Sequence, residues 1–322
     1  ASPHGQPGFH RFRSPRDRGS GAQTLSGRRA DAKSVSEGGA QSASKHCTSQ
    51  ESVAVTKAHI FADVDMARGE RFELGDCEAA VISLRKPERE GPNEDAAGLI
   101  SIGEEAGVAV VSDGAGGHPG GAEAAKLAVQ AVCNSVAELG ADVANLRGAI
   151  INGFEAADRA ISALGTGAAA TLAVVEVHGH KMRSYHAGDS MVLVTGQRGR
   201  IKWQTIPHSP VGYAVEAGLL DAGDALHHED LHIVSNLLGT KDMRIELGAT
   251  LSLARRDTVV LASDGLSDNL HLDEIVERMR KGPLLRALDG VADLGRRRML
   301  APSDGAPSKP DDLTFMAIRR RR

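Results

Sequence analysis

The sequence predicts an α+β fold, in which antiparallel sheets are covered by helices, because strand-like and helix-like segments come in blocks. Three short aliphatic runs, bounded by glycine, proline or charged residues, lie at Ala79–Leu84, Ala97–Ile102 and Val108–Ser112, as is typical of strands. Two segments with one apolar stripe each follow, over residues 127–139 and 146–164, and they indicate amphipathic helices. The strict alternation of strand and helix that indicates a parallel sheet does not occur.

The spacing of apolar residues defines the two predicted helices. The first begins after Pro119-Gly120-Gly121, and its apolar face consists of Leu127, Ala128, Ala131, Val132, Val136 and Leu139. The second has the spacing 4-4-3-4-3, with Leu146, Ile150, Phe154, Ala157, Ile161 and Leu164. Each stripe needs an apolar surface to cover it, so the two helices either take one sheet face each or share one face.

The second half of the chain continues in blocks. Further strands are predicted at 169–177, 182–186, 191–195, 257–263 and 313–318, and further helices over 272–280 and 284–294. Residues 207–247 are irregular, with weak helical pieces such as Gly212–Leu220. Residues 1–70 are rich in Gly, Ser, Arg, Ala and Gln and show no sustained period. We therefore predict a disordered basic tail or linker over 1–70 and a folded domain over 71–322.

Composition narrows the class of protein. The chain has 322 residues, 41% hydrophobic and 25% charged, with no apolar run near the roughly 18 residues of a membrane helix and no apolar signal core, so we expect a cytoplasmic protein. Three scattered cysteines fit a reducing compartment. Residues 1–50 carry a net +5, which leaves −9 for residues 51–322. So acidic a domain suits an anionic substrate only if bound cations reverse the local field.

Five acidic motifs each place a carboxylate at or beside a predicted strand end. They are Asn93-Glu94-Asp95, Ser112-Asp113-Gly114, Gly188-Asp189-Ser190, Ser263-Asp264-Gly265 with Asp268, and Asp311-Asp312. One Asp-Gly after a strand is usually a turn, but five such motifs can converge at one rim of a sheet. Buried carboxylates are costly unless they are paired or coordinated, and an oxygen-only donor set suits Mg²⁺, Mn²⁺ or Ca²⁺ better than zinc.

In this order the motifs resemble those of the metal-dependent protein phosphatases of type 2C, in their bacterial form. The resemblance covers residues 75–320, and its motifs are Asn93-Glu94-Asp95, residues 110–121, Gly165–Leu172, Gly188-Asp189-Ser190, Ser263–Asp268 and Asp311–Thr314. The stretch from His208-Ser209-Pro210 to Leu238-Gly239 resembles the family's mobile flap. The resemblance implies a four-layer αββα sandwich of two antiparallel sheets flanked by helices, with the flap at about 207–247.

The resemblance also implies the function: a serine/threonine phosphoprotein phosphatase that hydrolyses phosphate monoesters with a water activated by two Mn²⁺ or Mg²⁺ ions. The implied partners are phosphorylated serine/threonine proteins and a cognate kinase; we expect no nucleic acid, no membrane and a monomer. Carried over residue by residue, Asp113 bridges the two ions and Asp264 and Asp311 complete the shell of one. Glu94 and the Gly114 carbonyl serve the other.

Three further residues receive roles from the same resemblance. Asp189 and Asp268 match positions that hold a third, weaker ion in bacterial relatives. Asp95 lies beside the site and orients bound water. Met191 departs from the family, because an arginine often follows Gly-Asp-Ser; this weakens the support around Asp189.

The phosphate-binding arginine is the main departure. The family usually has an arginine four residues before Glu94, where this chain has Glu90. Arg89 is one residue away, and we take it as the candidate, with Arg85 as an alternative. His118 lies near the position of a proposed general acid in some relatives, and we interpret it as a turn histidine.

Two alternative functions stay open. Three other sequence patterns are interpreted as having no separate function. A catalytically weak or inactive signalling module with the same fold is the main alternative, and a partner-switching phosphatase acting on a stress-response regulator is another. We interpret His227–Asp230 as an exposed loop and not as a metal site. Gly114–Gly117 lacks the Lys-Ser/Thr of a P-loop. The basic runs Arg296–Arg298 and Arg319–Arg322 are interpreted as exposed helix and chain ends.

Overall fold

The computed structural model describes residues 57–88, 90–115, 120–140, 142–303 and 305–321. The strands of this part are β1 (Lys57–Ala62), β2 (Glu70–Leu74), β3 (Cys77–Leu84), β4 (Asp95–Ile102), β5 (Ala106–Asp113), β6 (Leu172–His178), β7 (Lys181–Ala187), β8 (Met191–Thr195), β9 (Ile201–Gln204), β10 (Glu246–Leu247), β11 (Leu251–Ser252), β12 (Thr258–Ala262) and β13 (Leu313–Arg320). The helices are α1 (Gly121–Ala137), α2 (Leu146–Ser162), α3 (Pro210–Glu216), α4 (Ala222–Ala225), α5 (Asp264–Ser267), α6 (Leu272–Met279) and α7 (Leu284–Leu300).

The strands form two antiparallel sheets. The first has the order β1-β4-β5-β6-β7-β10, with β11 also paired to β7, and the second has the order β2-β3-β13-β12-β8-β9. In the first sheet Asp95 pairs with Asp113, where β4 begins and β5 ends. In the second sheet Ala262, the last residue of β12, pairs with Met191 and with Phe315. Acidic motifs therefore flank one end of both sheets.

Three apolar cores hold four layers together. Residues such as Val111, Val175 and Leu261 fill the space between the two sheets. Helices α1 and α2 cover the outer face of the first sheet, and α6 and α7 cover the second. Each fully buried large aliphatic or aromatic side chain stabilises the fold by about 1.5–3 kcal/mol. The predicted αββα sandwich is confirmed.

Helices α1 and α2 share one sheet face, which was one of the two predicted arrangements. Phe154 and Ile150 of α2 are fully buried in the same core as Val132 of α1. The two helices approach closely at Gly153, where an added Cβ would lie 2.8 Å from the Cα atom of Val132. Only glycine fits this crossing without a shift of one helix.

The predicted start of the folded domain at residue 71 is too late. Strand β1, over Lys57–Ala62, pairs along its length with β4. Its side chains gain support from the opposite sheet, because the rings of His59 and Phe61 lie 4.6 Å and 5.5 Å from the ring of Phe72. Such a contact between distant segments leaves no period in the local sequence. Residues 1–56 of the predicted tail lie outside the described residues.

Helix α7 extends beyond its predicted end at Leu294 as far as Leu300. The basic run Arg296–Arg298 does not end the helix, because Arg298 turns inward. Its guanidinium donates to both carboxylate oxygens of Glu274, at 2.7 and 2.8 Å, and only 14% of its side chain is exposed. The interpretation of this run as an exposed helix end is therefore wrong for Arg298.

The irregular segment at 207–247 contains the short helices α3 and α4, then turns, and then β10. Ser209 caps α3, since its hydroxyl accepts a hydrogen bond from the Gly212 N–H at 2.9 Å. None of the helices in the described part of the chain is long and apolar enough to span a bilayer.

Candidate metal centre

The strand ends of both sheets bring the acidic motifs together at one rim of the sandwich. Asp95 and Asp113 are register partners on neighbouring strands. Asp264 is the first residue of α5, directly after β12, and it shares a hydrogen bond with Asp113. The negative charges of Asp264, Asp95 and Asp189 all act on Asp113. Antiparallel pairing within the first sheet and the packing of the two sheets against each other thus bring together motifs that lie far apart in the sequence.

Thr171 joins the second motif to the third. Its N–H donates to the Asp113 carbonyl at 2.8 Å, and its Oγ1 accepts from the Asp113 N–H at 3.1 Å. The same Oγ1 lies 2.6 Å from the Ser190 hydroxyl. Gly188 is required beside it, because an added Cβ would lie 2.6 Å from the Thr171 Cβ and the φ angle is +108°. The turn that carries Asp189 is thereby fastened to the end of β5.

Asp312 joins the first motif to the last. Its carboxylate accepts hydrogen bonds from the Lys86 N–H at 2.7 Å and from the Glu94 N–H at 2.8 Å. Asn93 is also buried, and its side chain donates to the Val64 carbonyl at 2.8 Å and accepts from the Asp95 N–H at 2.9 Å. These bonds hold the backbone of Glu94 and Asp95. Sequence analysis assigned no separate role to Asp312 or Asn93, although both lie inside predicted motifs.

Asp95 is buried beside the acidic cluster, with 3% of its surface exposed. The Ser263 hydroxyl donates to its Oδ2 at 2.7 Å and accepts from the Thr314 N–H at 3.1 Å. Burial raises the pKa of Asp95 well above its ordinary value; the Ser263 hydrogen bond opposes this shift, and the charge of Asp312 adds to it. Ser263 therefore links the first motif to the fourth.

Two glycines allow the backbone segments to meet. An added Cβ on Gly114 would lie 2.3 Å from the carbonyl atoms of Gly121, and one on Gly265 would lie 1.9 Å from the Asp312 carbonyl oxygen. Real Cβ atoms do not approach other atoms so closely. The Gly114 N–H also donates to the Glu94 carbonyl at 3.0 Å. The glycine that follows the aspartate in the second and fourth motifs is thus required by close packing.

The carboxyl groups of the cluster carry more negative charge than the protein balances. Burial, followed by the charges of Asp264, Asp95 and Asp189, raises the pKa of Asp113 well above its ordinary value. Burial, followed by the charge of Asp264, raises the pKa values of Asp189 and Asp268 to about 7. The pKa of Asp311 is raised for the same two reasons. A carboxyl group with a raised pKa binds its proton at a higher pH than an exposed aspartate does.

Lys309 is a residue of the centre that the sequence did not reveal. Its ammonium donates to Asp264 Oδ2 at 2.9 Å and to Asp268 Oδ2 at 2.7 Å. Burial alone would raise the pKa of Asp264, but the Lys309 charge and hydrogen bonds outweigh it and lower that pKa. The only available signal was the position of Lys309 two residues before Asp311.

The donor atoms of this cluster determine which cations it can bind. The candidate side-chain donors are all carboxylate oxygens, and burial together with the charges of neighbouring carboxylates raises the pKa values of Asp113, Asp189 and Asp268. Hard cations such as Mn²⁺ and Mg²⁺ bind such oxygens. The residues present therefore suit the cations that the sequence predicts.

Of the candidate phosphate-binding residues, Arg89 lies outside the described residues. Glu90 is exposed. Within the described part of the chain, the buried Nε of Arg85 has no hydrogen-bond partner, and its terminal nitrogen lies 3.6 Å from Asp63. His118 also lies outside the described residues.

His208 fastens the predicted flap to the turn that carries Asp189. Its Nδ1 accepts from the Gly188 N–H at 3.1 Å and from the Asn236 amide at 2.8 Å, so its Nε2 carries the proton donated to Glu246 at 3.1 Å. Its ring stacks on His186, with the centroids 4.4 Å apart. The ligand-type atoms of these two histidines and Glu246 lie within 4.8 Å of one another, and the hydrogen bonds already engage His208 and Glu246.

Two cavities adjoin the centre. One, of about 480 Å³, lies between the flap helices and the rim, and Asp189, Asp264, Asp268, Val211 and Val215 are among its lining residues. A smaller one, of about 270 Å³, is lined by residues 226–229 together with Asp268 and Lys309. Residues 227–229 are exposed, as predicted for this histidine-rich loop, and they line the smaller cavity beside Asp268 and Lys309.

Comparison with known proteins agrees with this fold. A model of the family described as protein phosphatase 2C matches residues 86–298. Protein phosphatase PhpP of Streptococcus pneumoniae is 28% identical over 173 residues, which is 52% of this chain and 70% of PhpP.

The solved structures show the same fold. The serine/threonine phosphatase PstP/Ppp of Mycobacterium tuberculosis has a TM-score of 0.60 at 24% identity, covering 76% of this chain and 99% of that one. Stp1 from Staphylococcus aureus has a TM-score of 0.66 at 22% identity, covering 79% and 100%. A PstP catalytic domain solved with two manganese ions has a TM-score of 0.58 at 23% identity, covering 76% and 97%. The family match extends over most of the described residues, and the chain belongs to the protein phosphatase 2C family.

Proposed function

We propose that this chain is a metal-dependent protein-serine/threonine phosphatase that hydrolyses the phosphate monoesters of phosphorylated proteins. The observation that carries the proposal is the convergence of carboxyl groups from separate motifs at one rim of the sandwich, where burial and the charges of neighbouring carboxylates raise the pKa values of Asp113, Asp189 and Asp268. An acidic cluster of this kind would repel phosphate unless cations are bound. Membership of the protein phosphatase 2C family supports the same reaction.

The carboxylates of Asp113, Asp264 and Asp311, with Glu94 and the Gly114 carbonyl, would hold two Mn²⁺ or Mg²⁺ ions. When bound, such ions act as Lewis acids and lower the pKa of a coordinated water toward neutrality. The protein's part is to keep these oxygens in place. The Thr171 bonds to Asp113 and the Asp312 bonds to the Glu94 backbone do so.

Asp95 is positioned to orient a water molecule beside the acidic cluster. Ser263 holds one of its carboxylate oxygens at 2.7 Å, and Asn93 holds its backbone N–H at 2.9 Å. Because burial raises its pKa, Asp95 can accept and retain a proton at a pH where an exposed aspartate would not.

Binding of the substrate phosphate is assigned to an arginine next to the first motif. Arg89 remains the candidate from the sequence. Arg85, a described arginine in the segment before that motif, has a spare donor, because its Nε is buried without a hydrogen-bond partner among the described residues. The neighbouring Lys86 N–H is bound to Asp312, which also holds Glu94, so this loop is tied to the metal centre.

Hydrolysis of p-nitrophenyl phosphate tests the proposal. Wild type, Asp264→Asn and the control Asp242→Asn, which changes an exposed aspartate outside the cluster, are assayed in EDTA and then with added Mn²⁺ or Mg²⁺. We expect turnover only with cation, lost in Asp264→Asn and retained in the control. Dephosphorylation of phosphoserine and phosphothreonine peptides then tests the substrate class, with phosphotyrosine peptides as the comparison.

The inactive signalling module is the second candidate, because Glu90 occupies the position of the usual arginine. A folded wild type that shows no turnover with either cation, yet binds a phosphorylated protein, would favour the module and would refute the phosphatase. A cytoplasmic location, a monomeric state and a cognate kinase as partner belong to the same proposal and await fractionation, sizing and co-purification.

A further inference from the structure

Lys309 lies among the carboxylates of the fourth and fifth motifs. Its Nζ is 2.9 Å from Asp264 Oδ2, 2.7 Å from Asp268 Oδ2 and 3.7 Å from Asp311 Oδ2. Among the described residues, Lys309 is the basic residue that forms ion pairs with these three aspartates. A lysine that contacts three aspartates at once, with 37% of its side chain exposed, is not an ordinary surface lysine.

Hydrogen bonds from the side chain of Asn269 hold the backbone of Lys309 in place. The amide side chain of Asn269, which is fully buried, accepts from the Lys309 N–H at 2.9 Å and donates to the Lys309 carbonyl at 2.8 Å. The Asn269 amide also donates to the Gly265 carbonyl at 2.9 Å, so one residue fastens Lys309 to α5, which begins with Asp264.

A second contact stabilises this support. Arg298 donates to the Asn269 carbonyl at 2.8 Å, and the hydroxyl of Ser308, the neighbour of Lys309, donates to the Arg298 carbonyl at 2.8 Å. The loop that carries Lys309 is therefore joined to α7 and α5. A support of this kind fixes the ammonium relative to the carboxylates.

The Lys309 ammonium contacts carboxylate oxygens that the resemblance assigns to the third, weaker ion. Asp268 and Asp189 are the carboxylates that match the third-ion position, and Asp264 lies next to both. Lys309 donates to Asp268 and Asp264 directly and its charge also acts on Asp189. A divalent cation on these oxygens would have to displace a tethered positive charge.

We propose that the Lys309 ammonium is a built-in cation that takes the place of a third divalent ion, so that the protein binds two such ions and not three. The inference rests on the proposed function, since it assumes that Asp113, Asp264 and Asp311 hold divalent ions. Lys309 is then a positioning residue. Its ammonium fixes Asp268 and one oxygen of Asp264 but is not itself a ligand of either divalent ion.

Counting bound Mn²⁺ tests this inference without an activity assay. Wild type, Lys309→Met and Lys309→Arg are titrated with Mn²⁺ and monitored by electron paramagnetic resonance of free Mn²⁺ and by calorimetry. Methionine keeps the length of the side chain and removes its charge, whereas arginine keeps the charge. The control is Lys281→Met, which removes a lysine paired with Glu277 at 3.0 Å outside the centre.

We expect two bound ions in wild type, Lys309→Arg and Lys281→Met, and a third in Lys309→Met whose affinity is at least about tenfold above any third binding in wild type. The double variant Lys309→Met/Asp268→Asn should return to two ions. A third ion of equal affinity in wild type and Lys309→Met overturns the inference, and so does a Lys309→Met protein that stays at two.

If Lys309→Met fails to fold, the number of Mn²⁺ ions bound by wild type still tests the inference. Three bound ions in wild type refute it. Failure of the proposed function looks different. Wild type would then bind no Mn²⁺ and would show no hydrolysis of p-nitrophenyl phosphate.

Discussion

The raised pKa of Asp189 predicts how the stability of the protein in EDTA depends on pH. Burial, followed by the charge of Asp264, raises this pKa from 3.8 to about 7. A carboxyl group whose pKa is higher in the folded state binds more protons there than in the unfolded chain. The free energy of unfolding therefore falls as the pH rises between about 4 and 7, by about 1.4 kcal/mol per pH unit for one such group.

Replacing the group isolates its contribution. Asp189→Asn removes the titration but keeps the size of the side chain, so between pH 5 and pH 7 the variant should gain about 2–3 kcal/mol of stability relative to wild type. His186 acts in the opposite direction. Burial, followed by the charge of His208, lowers its pKa to about 4, so its contribution is lost as the pH falls below about 6.5. Both proteins contain His186, and its contribution cancels in the difference.

Urea denaturation followed by circular dichroism at pH 5, 6 and 7 in EDTA measures the difference. Asp242→Asn, outside the cluster, controls for the loss of one aspartate. A stability difference between Asp189→Asn and wild type that stays constant over this range would refute the reasoning. It would mean that Asp189 is solvated in the folded protein and is not buried beside the charge of Asp264.

Three further substitutions test the construction of the centre. Asp113→Asn should weaken Mn²⁺ binding by about 10–100-fold or more, because it removes a buried carboxylate that lies beside Asp264, Asp95 and Asp189; calorimetry measures the affinity, and near-native binding contradicts the assignment. Ser263→Ala should cost about 1–3 kcal/mol of stability, because it leaves the buried Asp95 oxygen and the Thr314 N–H without a partner; an unchanged urea midpoint would show that water replaces the hydroxyl. Gly265→Ala should lower the free energy of unfolding by about 1–3 kcal/mol or more, because its Cβ would lie 1.9 Å from the Asp312 carbonyl oxygen. The control is Gly148→Ala, where nothing lies within 4 Å of the added Cβ; this substitution should not destabilise the protein.

The sequence by itself determined the fold class and the main elements of this protein. Apolar runs, apolar stripes and glycine-rich boundaries are local patterns, so most of the strands and the four long or amphipathic helices were predicted, with the end of α7 as the largest error. The acidic motifs were visible for a similar reason, since each is a short run at a strand end. The family's motif order then implied the four-layer sandwich, which the structure confirms.

Tertiary structure alone decided how these parts meet. Strand β1 was missed because the aromatic contacts that support it come from β2, in the other sheet. Lys309 and Asn269 were missed because a lysine gains its role only when folding brings Asp264 and Asp268 within 3 Å of its ammonium. The inward turn of Arg298 depends in the same way on Glu274, 24 residues away in the sequence. Local patterns record which face of an element is buried, whereas the pairing of charges depends on distances that only the packed fold sets.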